Sequence, residues 1–303
     1  MRILNWGSLN IDKVYLIDHF AAAGETISAV RLETFCGGKG LNQSIALARA
    51  GATVYHAGAV GPDGEGLCAL LREAGVDTRY LKTVEEPSGH AIIQNAGGQN
   101  SIVVYGGANL QLNEQDADAA LEAFGSGDML LVQNETACVP YVMHAAKKRG
   151  MKIAFNPSPF PTTLEEYPVD LTDIFLLNEI EGRALAAINC KTNEEILCVL
   201  HQKFPQAAIV LTIGEQGVLY QDAVQKLAKP ACCVKVVDTT AAGDTFTGYF
   251  LASLAKKLTV ETALHYAVQA SGLAVSKNGA ALSIPFWEQV PIQQTEIPHA
   301  EKL

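Results

Sequence analysis

The chain is short of positive charge. Its 22 Lys and Arg face 32 Asp and Glu, a formal net charge of −10. That balance argues against a nucleic-acid partner, whose phosphates are met by clustered Lys and Arg. No stretch approaches the roughly 18 uninterrupted apolar residues of a spanning helix, so no membrane partner is expected. The start, Met1-Arg2-Ile3-Leu4-Asn5-Trp6, reaches Asp12 without the apolar run and small-residue cleavage site of an export signal. A cytoplasmic protein is therefore expected. The seven cysteines form no C-x-x-C pair and no His/Cys cluster, which leaves zinc and dithiol chemistry without a motif. They read as free thiols of a reducing compartment, mostly core fillers. Internal repeats and low-complexity tracts are missing too.

What is present is a large, ordinary globular chain of 303 residues, 49 % hydrophobic and 18 % charged, read as a single domain over 1–303. Short apolar runs alternate with helical patterns. Strands are expected at Arg2–Gly7, Thr53–Ala59, Asp128–Gln133, Lys152–Phe155, Asp173–Leu177 and Ala207–Thr212. Helices are expected at Gly38–Ala50, Gly64–Ala74, Val139–Arg149 and Phe246–Lys256. Such alternation predicts a mostly parallel sheet covered on both faces, an α/β class. Asn113 opens a helix with acids in its first turn, and Thr192 with Glu195 spells a capping box. Cys232–Val237, after Pro230, reads as more sheet. The tail from Pro285, polar and proline-interrupted, is expected to be loosely held.

Two early stretches break the alternation. Asp12–Phe35 holds no convincing helix, and Gly89–Tyr105 reads as a hairpin turning at Gly97-Gly98. They form either a small accessory sheet, a lid built from about 12–36 and 89–107, or an extension of the central sheet. An apolar outer lid face (Ile92, Val103, Tyr105) could pair with a second copy as a homodimer, or merely cover a site.

The chemistry concentrates in Asp238-Thr239-Thr240-Ala241-Ala242-Gly243-Asp244-Thr245-Phe246-Thr247-Gly248. A β-branched run precedes it and a helix follows. Small residues let a ligand approach, Gly243 permits unusual dihedrals, and the first N–H groups of a helix bind anions. A carboxylate there suits proton acceptance from a hydroxyl that attacks a phosphoryl group. The plainer alternative is a helix start with Asp244 as a capping residue.

This string resembles the C-terminal signature of the ribokinase (PfkB) family of carbohydrate kinases. Gly37-Gly38-Lys39-Gly40-Leu41-Asn42-Gln43 resembles a second signature, and Gly7-Ser8-Leu9-Asn10-Ile11-Asp12 a third. The resemblance runs from about residue 2 to about residue 287. Asn10-x-Asp12, Gly24-Glu25-Thr26 and Gly106-Gly107-Ala108-Asn109 resemble the ribokinase branch in particular. The resemblance implies a three-layer α/β/α fold with a β-sheet lid. It also implies an ATP-dependent kinase that phosphorylates a sugar hydroxyl, converting D-ribose to ribose 5-phosphate. Alternatives are another kinase of the family, acting on fructose, a deoxy-sugar or a nucleoside, and a non-catalytic sugar or nucleotide sensor.

By the same resemblance Asp244 is the general base, and Ala241, Ala242 and Gly243 form the anion hole. Asn10, Asp12, Gly38, Asn42 and Glu135 are sugar ligands, and Lys39 neutralises phosphate charge. Asn178 and Glu181 organise Mg²⁺, through water, and the nucleotide phosphates; Asn178 is at the same time a plausible helix cap. Thr212, Gly214 and Gly217 form the nucleotide turn. Asp238, Thr240, Ala274, Gly279 and Ser283 hold a monovalent cation such as K⁺. Two departures stand out. The strand before Glu135 ends Val-Gln-Asn-Glu where the family tends to carry Gln-Leu-Glu, and the cation loop reads Asn-Gly-Ala-Ala-Leu-Ser without the usual proline. An Asp with an ordinary pKa of about 4 is a weak base, which a loose transition state tolerates.

Overall fold

The structure is a computed structural model that describes residues 1–161 and 164–291. In chain order the strands and helices are β1 (Arg2–Trp6), β2 (Asn10–Leu16), β3 (Arg31–Gly37), α1 (Lys39–Arg49), β4 (Thr53–Val60), α2 (Glu65–Glu73) and β5 (Asp77–Thr83). Next come β6 (Gly89–Ala96), β7 (Gln99–Tyr105), α3 (Glu114–Leu121), β8 (Met129–Gln133), α4 (Val139–Lys148), β9 (Lys152–Asn156), β10 (Ile174–Asn178), α5 (Glu179–Ala186) and α6 (Asn193–Lys203). The chain finishes with β11 (Ala208–Thr212), β12 (Val218–Gln221), β13 (Lys226–Lys229), α7 (Ala242–Ala255), α8 (Val260–Val275) and the short α9 (Ala280–Ser283).

Nine strands form one sheet in the order β13-β12-β11-β10-β9-β8-β1-β4-β5. All neighbours are parallel except the two pairings made by β12. Side-chain alternation splits the core in two: Ile3, Met129 and Leu131 face α1, α2, α7 and α8, while Leu4, Leu130 and Val132 face α3 to α6. This is the expected three-layer α/β/α arrangement. The chain leaves β1 toward β4 and β5, then returns to β8 on its other side. The strand order therefore reverses at β1, the place where such sheets open a crevice at their carboxyl ends.

The hairpin does not extend this sheet. Strands β3-β2-β6-β7 form a separate small one, with β2 and β6 parallel and the outer pairs antiparallel. The capping box expected at Thr192 is present, Asn113 opens α3 as expected and forms a capping box with Asp116, and another stands at Asn178.

Three expectations need correction. Cys232–Val237 pairs with no strand among the described residues; after Pro230 it lies along α8, where a Cβ on Gly272 would stand 2.6 Å from Cys232 Cβ. The helix at Phe246 starts earlier, at Ala242. The stretch from Pro285 to Pro291 is tied down rather than loose: Tyr249 donates to Pro285 O at 2.7 Å, Trp287 lies 4.3 Å from the Tyr266 ring, and Val290 is buried. The rest of that tail, residues 292–303, lies outside the described residues. Among the described residues no helix is long and apolar enough to cross a membrane.

Candidate active site

The site grows from the turn after β1. Gly7 and Gly40 bring their backbones into direct contact. A Cβ on Gly40 would stand 2.3 Å from Ser8 N, and one on Gly7 would stand 2.6 Å from Gly40 Cα. Leu41 N–H donates to Ser8 O at 2.9 Å and Gly40 N–H to Ser8 Oγ at 3.2 Å, which fixes the start of α1 over the end of β1. Gly38 precedes the helix at φ 95°, a left-handed conformation that favours glycine.

Asn10 and Asp12 leave the same turn on β2. Asn10 is 5 % exposed and its Oδ1 accepts from Asn109 Nδ2 at 2.8 Å. Asn109 also brackets Leu9, accepting from its N–H at 2.9 Å and donating to its carbonyl at 3.3 Å. The carboxylate of Asp12 lies over Gly37, where a Cβ would meet Oδ2 at 2.0 Å. Burial, with the Glu135 charge added, pushes the Asp12 carboxyl up to about 7. Glu135 accepts from the Ser8 hydroxyl and, at 3.1 Å, from the Lys39 N–H. Burial raises its pKa despite the nearby Lys39 ammonium. The unusual Asn134 beside it ties down the following loop, donating to Pro159 O at 2.7 Å and accepting from Tyr167.

Asp244 enters from α7. It is 7 % exposed, Oδ2 accepts from Asn42 Nδ2 at 3.0 Å, and Oδ1 accepts from Gln43 Nε2 at 2.9 Å. Burial pushes its pKa above the ordinary range, and Lys39, Gln43 and Asn42 pull it back only in part. The carboxylate is thus a stronger base than an exposed Asp. Asn42 Oδ1 is buried without a partner among the described residues, an acceptor ready for a ligand's hydroxyl. Burial acts against the Lys39 ammonium, but Asp244, Glu135 and Glu181 outweigh it and hold its pKa up.

At the start of α7, Ala242 N–H turns back to Thr239 O at 3.1 Å and Thr245 N–H bonds Ala241 O at 2.9 Å. The N–H groups of Gly243 and Asp244 fall between these bonds and are available to an anion. Gly243 needs no unusual dihedral; it is helical, and a Cβ there would meet nothing within 4 Å. Its contribution is open space, whereas Ala241 is packed into the core.

One cleft is lined by Lys39, Asn156, Asn178, Glu181, Thr212, Thr240, Gly243 and Asp244. Asn42 and Glu135 join it through their bonds to Asp244 and Lys39, and Gly38 lies against Asn10, where a Cβ on Gly38 would stand 3.0 Å from Asn10 N. Gly214 and Gly217 lie beyond Thr212 and shape the turn instead. At Gly217, φ is 109° and a Cβ would meet Lys229 O at 2.0 Å. Glu181 is 5 % exposed and caps Asn178 N–H at 3.0 Å. The structure brings Asp238 to Thr240 and Gly279, whose N–H reaches Asp238 Oδ2 at 3.3 Å. Ala274 and Ser283 are buried, and their hydrogen bonds among the described residues are local, Ser283 donating to Ala280 O at 2.8 Å. Among the described residues no three His, Cys, Asp or Glu side chains form a metal cage.

Sequence reasoning missed Ser8, Gln43, Asn109 and Asn156. The first three sit inside quoted motifs, so their positions were visible and only their roles were not. Asn156, at the end of β9, carries no local signal.

A family model described as "pfkB family carbohydrate kinase" matches residues 2–287. The ribokinase of Haemophilus influenzae is 34% identical over 288 residues, covering 92% of this chain and 94% of that protein. The crystal structure of ribokinase from Cryptococcus neoformans in complex with ADP aligns with a TM-score of 0.84 at 34% identity, over 95% of this chain and 98% of that one. The structure of Arabidopsis thaliana ribokinase complexed with ribose and ATP aligns with a TM-score of 0.84 at 29% identity, over 94% and 96%.

Proposed function

The chain belongs to the pfkB family of carbohydrate kinases and is an ATP-dependent sugar kinase; we propose that its sugar is D-ribose, phosphorylated at the 5-hydroxyl. The observation that carries this reading is the bond from Asn42 to Asp244, which joins the sugar-side motif to a carboxylate at the anion-binding start of α7. The relatives named ribokinase support ribose as the sugar.

In this reading Asn10, Asp12, Gly38, Asn42 and Glu135 hold the sugar. Asp244 Oδ2 takes the proton of the attacking hydroxyl, the new O–P bond forms to the γ-phosphorus, and the bond from that phosphorus to the β–γ bridging oxygen breaks to release ADP. The N–H groups at the start of α7 and the Lys39 ammonium face the charge on the transferring group. Asn178, Thr212 and the turn at Gly214 and Gly217 hold the nucleotide. Glu181 and Asn178 would hold a Mg²⁺, which supplies charge neutralisation to the phosphates; the sparse protein ligand set fits an ion that keeps its waters. The small sheet over 12–36 and 89–107 would act as a lid that excludes water.

Three further parts belong to the same reading. Asp238, Thr240, Ala274, Gly279 and Ser283 would hold K⁺, and unchanged turnover when K⁺ is replaced by tetramethylammonium would overturn that. Strand β7 is an exposed edge with Ile102, Val103 and Val104 56%, 66% and 58% exposed, which supports pairing with a second copy. A monomer by light scattering would refute the pairing. ATP use and seven unpaired cysteines favour the cytoplasm.

The test is ADP release with Mg·ATP against D-ribose, 2-deoxyribose, fructose, other pentoses and adenosine. Ribose should give the highest kcat/KM. A different best substrate keeps the mechanism and moves the sugar. Silence across the panel with ATP still bound points to a sensor.

A further inference from the structure

Asp244 is held by a residue that the motif assignments leave without a role. Gln43 is fully buried. Its side-chain nitrogen donates to Asp244 Oδ1 at 2.9 Å and to Asn156 Oδ1 at 3.0 Å, and its oxygen accepts from Gln133 Nε2 at 2.7 Å. We propose that Gln43 is a positioning residue for the catalytic base, and that a buried chain of polar side chains behind it permits only one orientation of its amide. The inference rests on the reading of Asp244 as the base.

The orientation follows link by link. A carboxylate only accepts, so Gln43 must turn its NH₂ to Asp244. Its carbonyl then faces Gln133, which must present its own NH₂. The same Gln133 nitrogen donates to Asn5 Oδ1 at 3.0 Å. Asn5 therefore turns its NH₂ to Gly40 O and Ser44 Oγ, each at 2.8 Å. Ser44 is left to give its hydrogen to His56 Nδ1 at 2.8 Å, and His56 keeps its own on Nε2, bonded to Gly7 O at 3.1 Å.

Strand register places these groups together. Asn5 is opposite His56 across β1 and β4, and Gln133 is opposite Asn156 across β8 and β9, with Asn5 and Gln133 both facing α1. Burial lowers the His56 imidazole to about 4 against the pull of the Gly7 carbonyl. His56 is thus neutral near pH 7, and the order of donors does not reverse there. Of the linked polar side chains from Gln43 back to His56, Gln43 is the one that bonds Asp244; Asn42, outside that series, holds the other carboxylate oxygen. The charged groups facing Asp244 are Lys39 and, beyond it, Glu135; Glu181 reaches it through the same lysine.

Gln43→Met keeps length and bulk but cannot donate. The expected outcome is a kcat lowered about 10- to 100-fold with the sugar KM within about 3-fold, since a charge-assisted bond is lost and no ligand contact is. Carboxyl ¹³C NMR, with the Asp244 signal assigned by its disappearance in Asp244→Asn, should show Asp244 titrating about 1 pH unit higher. Gln133→Leu, one link further back, should move the signal the same way by less. If Gln43→Met does not fold, Gln43→Glu sets a second carboxylate against Asp244 and should raise its titration further. An Asp244 titration unchanged in the folded variant overturns the proposal, whatever happens to kcat. This readout needs no substrate. Normal turnover in Asp244→Asn would refute the base reading separately.

Discussion

Asn42 and Asp244 share one hydrogen bond, from Nδ2 to Oδ2 at 3.0 Å, and it links α1 to α7. Asn42 thereby gives one of its two amide hydrogens to the carboxylate, and its carbonyl oxygen has no partner among the described residues. A hydroxyl that donates to Asp244 Oδ2 meets both groups at once.

Replacing Asp244 by Asn leaves an acceptor for Asn42 but removes the base. The expected result is a kcat lowered about 10²- to 10⁴-fold, the share attributed to general base catalysis, with a sugar KM near the parent's. Steady-state kinetics check it. Near-parental turnover would falsify the assignment.

Gly243→Ala separates folding from catalysis. A methyl there meets nothing within 4 Å and the backbone is already helical, so stability should hold or rise by about 0.4–1 kcal/mol. The methyl occupies the space next to the free N–H groups, so kcat should fall with Tm intact. Calorimetry beside the ADP-release assay decides; a stable, fully active variant contradicts the anion-hole role.

Asp12 makes stability depend on pH. Its carboxyl binds a proton up to about 7 in the folded chain, against 3.8 ordinarily. Between these values the folded state holds more protons than the unfolded one, so stability falls as pH rises. Asp12→Asn removes the group. Its Tm should exceed the parent's at pH 8, and the gap should close as pH approaches 4. A gap independent of pH counts against the burial of this carboxylate.

Asn109→Ala leaves the Leu9 N–H and the Asn10 side chain without partners in a buried place. An unfolding free energy lower by about 1–3 kcal/mol is expected, with a raised sugar KM and an unchanged ATP KM. Urea titration and kinetics on both substrates test this. A raised ATP KM alone would move Asn109 out of the sugar half.

Local signals made the central strands and the capped helices legible in the sequence, because each depends on runs of a few residues, whereas the separate small sheet was one of two readings of the early stretches. Strand β13 was not legible: Lys226-Leu227-Ala228-Lys229 is an edge strand with lysines at both ends, and edges are built to look polar. Cys232–Val237 misled in the opposite direction, because an apolar run looks the same packed on α8 as paired in a sheet. In the site, motif strings located Asp244, Asn42 and Lys39. The link from Asp244 through Gln43 to Gln133 and Asn5 joins four segments far apart in the chain, and no spacing within one segment encodes it. Polar residues at the core-facing positions of β1 and β8 were the trace it left.

The backbone contact of Gly7 with Gly40 also decides where novelty can arise. A single methyl at either position pushes one segment off the other and so displaces the start of α1 from the end of β1. Strand β7 has no such close backbone contact with β1 or α1, and its side chains are exposed. A substitution along β7 can therefore change the outer face of the small sheet without disturbing the joint between β1 and α1.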